Sequence, residues 1–531
     1  MRVFNKIVLV GLISIGSLAS AVHADRATLT DNDWDGMTET SIYAGNAAAW
    51  TDPYDPHNLL QISAILPLRD GSVIVADTGN QVIKRVIDGE VTVFSGVSLA
   101  RDAKGLPAGA LVDGARDASA YHSPAGLDQD TQGNIYVADA GNHAIRKIDA
   151  NGSVTTIAGD GVIGLVDGTA EQARFYHPSD VAVAEDGTIY VADTLNHVIR
   201  KIDTDGRVTT LNAASERIVE IVPGIVEDAG DYQDGPLSQA RFNEPSGLAL
   251  DARGNLYVSD TGNHRIRYIN LASGEVTTVA GGALADASSG ELYEEGALYA
   301  AGDYRDGTAS EALFHAPKGI TLTEDGGLLI ADSENHVIRY MKNGQVKTIA
   351  GVPTRYGSEN GIEHQNRLYR PLDVALTEDG KLLIADSYNN AIRQVALYEL
   401  PSQYVASNII QVIYGDQVID FEVNPEVEHS RTMVQARFVA EALGYEVDYI
   451  DDEQKITLRK DDRAIEFRLG QTDLIVRHGE SVEAEMQMDV APYAKHNRTY
   501  LPVRFFAEVI GMDVSWIQDA QAVIIRDKVI E

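Results

Sequence analysis

The stretch GNIYVADAGNHAIRKID, residues 133–149, decides the fold. It alternates apolar and polar as a strand up to Asp139, breaks at Gly141 and Asn142, and resumes as a second apolar run around Arg146. An Asp, a His and an Arg crowd into this one short hairpin, so chemistry and scaffolding both have to be weighed.

The frame returns as GSVIVADTGNQVIKRV (71–86), GTIYVADTLNHVIRKID (187–203), GNLYVSDTGNHRIRYIN (254–270), GGLLIADSENHVIRYMK (326–342) and GKLLIADSYNNAIRQVA (380–396). The Asp stands at 77, 139, 193, 260, 332 and 386, with Asn three residues on, Ile six on, and then Arg or, once, Lys84. Repetition at tens of residues is the signature of a propeller or solenoid. The residue after the Asn is His in four copies but Gln81 and Asn390 in the others, which keep hydrogen bonding and lose acid–base ability. A catalytic group has no reason to recur in six equivalent turns. The Asp, Asn, His and Arg set therefore reads as scaffolding that ties the hairpins, and no catalytic residue is assigned.

Each unit offers four strands: one after a Pro, the two in the quoted hairpin, and a fourth such as GSVTTIAG (152–159) or GEVTTVAG (274–281). Such strands, joined by Gly, Asn and Asp turns, make one antiparallel blade, and radial packing protects the blade edges. The sixth unit lacks its fourth strand, while TSIYAG (40–45) has that pattern ahead of the first unit. The spacing thus predicts a mainly β, six-bladed propeller over 35–398, closed by an N-terminal strand in the last blade.

The units resemble NHL repeats through YVADxxNHxIRxI and through DGxxxxARFxxPxG, as in DGTAEQARFYHPSDVAV (167–183), DGPLSQARFNEPSGLAL (234–250) and DGTASEALFHAPKGITL (306–322). The resemblance implies the propeller fold and leaves the activity open, because propellers carry unrelated functions.

At 531 residues the chain exceeds one ordinary core. Its formal charge of −36 opposes nucleic-acid and anionic-lipid binding and favours cations, basic partners or simple solubility. It has no cysteine, which excludes disulfides, thiolate metal sites, cysteine nucleophiles and a lipobox anchor. Arg2 and Lys6 precede an apolar stretch over 7–21, and Val22-His23-Ala24 has the small-x-small pattern of a cleavage site. Residues 1–24 are expected to be a secretory signal peptide, with no transmembrane segment in the mature chain, as in a bacterial export product.

Function is expected where the repeats differ. The long connections 97–112, 213–233 and 282–305 join equivalent points and should emerge on one face, a common place for a binding surface. Residues just before each first strand should ring the channel mouth there: His122 with Ser123, Tyr176, His177, Asn243, Glu244, His315, Tyr369 and Arg370. His122, His177 and His315 are candidate ligands of a transition metal, set against a plain polar lining. Asp31, Asp33 and Asp35 open DNDWDG like a calcium loop, but Ile42 stands where its bidentate acid should be.

After a linker at 399–408, a second duplication fills 409–531: RTMVQARFVAEALGYEVDYIDDEQKITLR (431–459) aligns with RTYLPVRFFAEVIGMDVSWIQDAQAVIIR (498–526). Each half reads as a helix closed by Gly444 or Gly511, followed by a hairpin, giving a small α+β domain of two related halves. This resembles the copper amine oxidase N-terminal-like domain. The resemblance implies a stalk-like accessory module and an envelope-associated or spacer role, without the copper and quinone machinery, which belongs to a different domain of that family.

The expectation is an exported, extracellular or cell-envelope binding scaffold. Its loop face would engage a protein, peptide or glycan ligand, it would need no cofactor, and any envelope association would be noncovalent. The alternative is a metal-dependent lyase or hydrolase working in the channel, in which His122, His177, His315 and Glu244 act and Arg370 stabilises an anionic intermediate. Nucleic-acid binding by a propeller face is set aside on charge.

Overall fold

The computed structural model describes residues 38–45, 57–97, 100–101, 105, 107–222, 224–282, 292–362, 366–397, 400–415, 417–517 and 520–527. The expected signal peptide and Asp31, Asp33 and Asp35 lie outside them. Among the described residues no helix is long and apolar enough to cross a membrane.

Period-two alternation builds the first domain. In the quoted repeat, Ile135 and Val137 pack into a cluster with Ala64, Ile74 and Ile83, whereas Tyr136 and Ala138 pack with Phe175, Val181 and Val191. This strand, Ile135–Asp139, therefore buries both faces, one toward the preceding sheet and one toward the next. Among the described residues six antiparallel sheets of four or five strands follow one another in this way, and six apolar clusters fill the seams between consecutive sheets. The first strands touch in order round a ring, and the last of them, Pro371–Leu376, meets the first, Ala64–Pro67. The domain is a β-propeller.

Closure follows the pattern expected of 40–45. Thr38–Gly45 lies antiparallel to Ala391–Leu397, from Thr38 opposite Leu397 to Gly45 opposite Ala391. The strand missing from the sixth unit thus comes from the start of the described chain.

The recurring Asp and Arg form buried ion pairs inside five sheets, and Lys84 takes the place of the Arg in the first. Arg146 Nη1 donates to Asp139 at 2.7 Å and to Ala120 O at 3.0 Å, while Nη2 reaches Asp113 and Val112 O at 2.8 Å. Asp113, the Asp of the DG motif, also accepts the Thr156 N–H and hydroxyl of the fourth strand. One guanidinium thereby ties a sheet to the segment that enters it, which a planar fork can do and a point charge cannot. The Phe of the ARF motif covers the cation, with Arg200 over Phe175 at 4.9 Å and Arg339 over Phe314 at 5.0 Å. Burial pushes the Asp139 carboxyl up to about 6 against the pull of Arg146.

Among its described residues the C-terminal region contains two four-stranded sheets and one five-stranded sheet around a main apolar core, with a smaller cluster beside it. Helix Ala436–Ala442 ends at Gly444, whose φ of +79° is the left-handed conformation expected of the cap. The two halves meet as equivalents. Strands Arg431–Gln435 and Arg498–Pro502 pair antiparallel with Val434 opposite Leu501, its counterpart in the duplication, so a local twofold axis passes between them. Leu400 and Tyr404 pack onto Ile413 and Ala520, and an ion pair joins Arg526 to Glu39 of the closing strand.

Candidate functional site: the mouth of the propeller

The residue before each first strand's Pro, or before Ile62 in the first sheet, is left-handed in all six sheets: Gln61, Ser123, His177, Glu244, Ala316 and Arg370 have φ between +48° and +55°. Non-glycine residues pay for this conformation, and the surroundings must hold them in it. The holding group comes from the preceding sheet. The N–H of His177 donates to His143 Nδ1 at 3.1 Å, Glu244 to His197 at 3.0 Å, Ala316 to His264 at 2.9 Å and Arg370 to His336 at 3.3 Å. Where the His is replaced, Ser123 donates to Gln81 Oε1 at 2.5 Å and Gln61 to Asn390 Oδ1 at 2.8 Å, the latter across the closure. The six acceptors form one circular stitch, so the repeat histidines serve as hydrogen-bond acceptors. His264 also engages Ala300 O through Nε2, and burial with the neighbouring His315 pulls its pKa down to about 4.

One residue earlier, the backbone is held by the repeat Asp of the same sheet. Asp139, Asp193, Asp260, Asp332 and Asp386 accept the N–H of His122, Tyr176, Asn243, His315 and Tyr369 at 2.7–2.8 Å. The constant residues thus position the variable ones, whose side chains differ from sheet to sheet.

The structure divides the expected mouth residues. His122 and His177 are exposed, while Tyr176, Glu244, His315, Tyr369 and Arg370 are half-buried. Asn243 is buried beneath the loops, with its amide donating to Leu298 O, so it is a support for the loop and not a contact surface. His315 packs edge-on against His264 at 5.2 Å, not against His122 or His177. Among the described residues no three His, Asp or Glu side chains converge as a metal site would need, so the candidate set His122, His177 and His315 is not assembled. The reason is radial, since these residues sit on sheets two, three and five of a ring. Nor do His429, His478 and His496 gather for copper in the C-terminal domain, where His478 pairs with Asp462 at 2.9 Å.

The 282–305 connection reaches the mouth, where Tyr299 donates to Glu244 at 2.8 Å. Tyr356, from a connection the spacing did not single out, stacks on Tyr369 with centroids 4.6 Å apart. The 213–233 connection is a hairpin, Arg217–Val222 with Ile225–Ala229, that exposes Ile218, Val222, Ile225 and Val226. Arg217 secures it by donating to Gly230 O, Ala297 O and Leu298 O.

Sequence reasoning missed the groups deeper on the axis. Lys318 follows Pro317 where other repeats have Ser, Ala or Leu. Burial lowers its pKa, and Glu244 and Glu334 pull it back. Asp180 and Asp373 bridge to the next sheet by accepting Leu248 N–H and Ile65 N–H at 2.8 and 2.9 Å. Burial and the charge of Asp373 raise Asp180 well above the carboxylate range, and burial raises Asp373 to about 7. Only the departure of 180 and 373 from the Gly or Ala at equivalent positions, and of 318 from uncharged residues, could have flagged them.

Residues 121–148, 175–202, 242–267 and 368–395 match the NHL repeat, and 413–525 match the copper amine oxidase N-terminal domain. The chain carries both. Over 305 residues it is 28% identical to the chloroplastic Protein SUPPRESSOR OF QUENCHING 1 of Arabidopsis thaliana, covering 54% of this chain and 26% of that one. It is 29% identical to NHL repeat-containing protein 2 of Homo sapiens, with 51% and 38% covered, and 30% identical to Teneurin-3 of Mus musculus, with 41% and 8% covered. The chain thus spans less than half the length of these relatives. Among solved structures the NHL propeller is similar to an auxiliary nutrient binding protein from Bacteroides ovatus (TM-score 0.45, 14% identity, 68% of this chain and 77% of that one). It is also similar to a streptogramin B lyase (TM-score 0.40, 13% identity, 69% and 99%). Neither likeness transfers an activity.

Proposed function

We propose that the protein is an exported binding scaffold whose NHL propeller, over 35–398, takes a ligand at its mouth. The 399–408 linker and the 409–531 domain would serve as an envelope-associated or spacer module. The observation that supports this is the division of labour at the mouth: an invariant stitch holds six backbones alike, while the side chains they present vary and are walled by long loops. Rigid scaffolds that display variable side chains are suited to recognition. The ligand classes are protein, peptide and glycan, and the net charge of −36 argues against nucleic acid.

Hydroxyl-radical footprinting of the full chain with mixed peptide and mixed oligosaccharide pools tests the reading. Protection is expected at His177, Glu244, Arg370 and the 217–229 hairpin. Protection confined to the C-terminal domain would overturn it. The lyase or hydrolase alternative needs a metal held by mouth residues. Stoichiometric transition metal that disappears in His122→Ala, measured by mass spectrometry, would favour that alternative.

A further inference from the structure

The sixth-sheet side of the mouth departs from the repeat in a way the fold does not require. Two residues after the repeat Asp, three sheets carry Gly79, Gly141 and Gly262, on which the side chains of Leu60, His122 and Asn243 lie so closely that an added Cβ would sit 2.6 Å from each. The same turn position holds Glu334 in sheet five and Tyr388 in sheet six, with the turn unchanged: the N–H of Tyr388 still donates to Tyr369 O, as that of Gly141 does to His122 O.

The side chains placed there join a cluster. Tyr356 stacks on Tyr369 with planes 24° apart, and Tyr388 leans on Tyr369 at 5.1 Å. His336 closes the back, edge-on to Tyr356 and Tyr369 at 5.8 and 5.7 Å. Even so packed, Tyr356 is 61% exposed and Tyr388 43%. Arg370 lies over the Tyr388 ring at 4.9 Å, donates to its hydroxyl at 3.1 Å, and pairs with Glu334 at 3.0 Å. The cluster is therefore a set of partly exposed aromatic rings edged by a guanidinium and a carboxylate.

We infer that Tyr356, Tyr369, Tyr388, Arg370 and Glu334 form a subsite for a neutral oligosaccharide, an inference that rests on the mouth being the binding face. The apolar C–H face of a sugar ring lies flat on an aromatic ring, which supplies contact area at little conformational cost. Vicinal hydroxyls offer donors and acceptors together, and the Arg370–Glu334 edge offers acceptor and donor together. That edge is already charge-neutral, so the ligand brings no charge to balance, and the negative field of the whole chain disfavours an acidic glycan.

Saturation-transfer NMR on the full chain with cellopentaose, xylopentaose, mannopentaose and chitopentaose tests this. At least one sugar is expected to receive saturation at its ring protons. Its affinity should fall about tenfold or more in Tyr356→Ala and in Tyr388→Gly, as expected when an aromatic anchor is removed. Tyr388→Gly installs the residue that three other repeats carry, so the turn and the unfolding midpoint should be kept. Arg370→Lys, which retains charge and loses the fork, should also weaken binding. No transfer from any of the four sugars, or transfer undiminished in both tyrosine variants, overturns the subsite. If the footprint shows a peptide protected at the 217–229 hairpin and indifferent to Tyr356→Ala, the mouth reading stands and the saccharide subsite alone falls.

Discussion

The backbone N–H of Glu244 donates to Nδ1 of His197 across 3.0 Å, from one sheet of the propeller to the next. The acceptor is all this joint requires, because Gln81 and Asn390 make the same bond at two other seams. His197→Gln is therefore expected to leave the urea midpoint nearly unchanged. His197→Ala leaves the N–H without its partner and should cost about 1–3 kcal/mol. Equal effects of the two variants would refute the acceptor role.

The buried ion pairs should be more costly to break. Arg146 and Asp139 are both fully shielded at 2.7 Å. Arg146→Ala leaves a buried carboxylate unpaired and should cost about 3–5 kcal/mol. Arg146→Lys should fall between wild type and Ala, since Lys84 pairs with Asp77 at 2.7 Å in the first sheet but cannot reproduce the fork. Thermal unfolding of the three proteins gives the order.

Two groups should tilt the pH profile in opposite senses. Burial raises Asp373 to about 7, so the folded state holds its proton more tightly than the unfolded chain does; that contribution is full in acid and is lost as pH rises toward 7. His264 is depressed from 6.5 to about 4, so its contribution is present above 6.5 and lost as pH falls through 4. Relative to wild type, Asp373→Asn should remove part of the loss on raising pH, and His264→Gln part of the loss on lowering it. Unfolding midpoints across this window decide both.

Close approach near the axis gives a steric test. A Cβ at Gly126 would lie 2.1 Å from Asp180 Oδ1 and 2.5 Å from its Cα. Backbone cannot swing aside, so Gly126→Ala should destabilise by about 1–3 kcal/mol or more. Gly126 and Asp180 belong to neighbouring sheets, and an unchanged midpoint would show that the inner strands are not packed as described.

The repeating Asp, Asn, His and Arg, the alternation on either side of them, and the spare strand at 40–45 determined the propeller by themselves. Each is a local pattern that any copy of the repeat can express, and six copies leave one way to bury both faces of every sheet. The Gly-capped halves of the C-terminal domain were legible for the same reason. The site was only half legible. That His122, His177, Glu244, His315, Tyr369 and Arg370 precede the first strands follows from the repeat frame, but whether they meet does not. Tertiary structure decided that Asn243 is roofed by a loop, that His315 faces His264, and that Tyr356, from a connecting loop, lands on Tyr369. Tyr356 and Tyr388 lie on either side of Tyr369 in the sequence, and their stacking depends on how a loop folds over the rim, which no repeat period encodes. The charged groups on the axis came the same way, because the field at Lys318, Asp180 and Asp373 is set by facing strands from other sheets and not by their own neighbours in the chain.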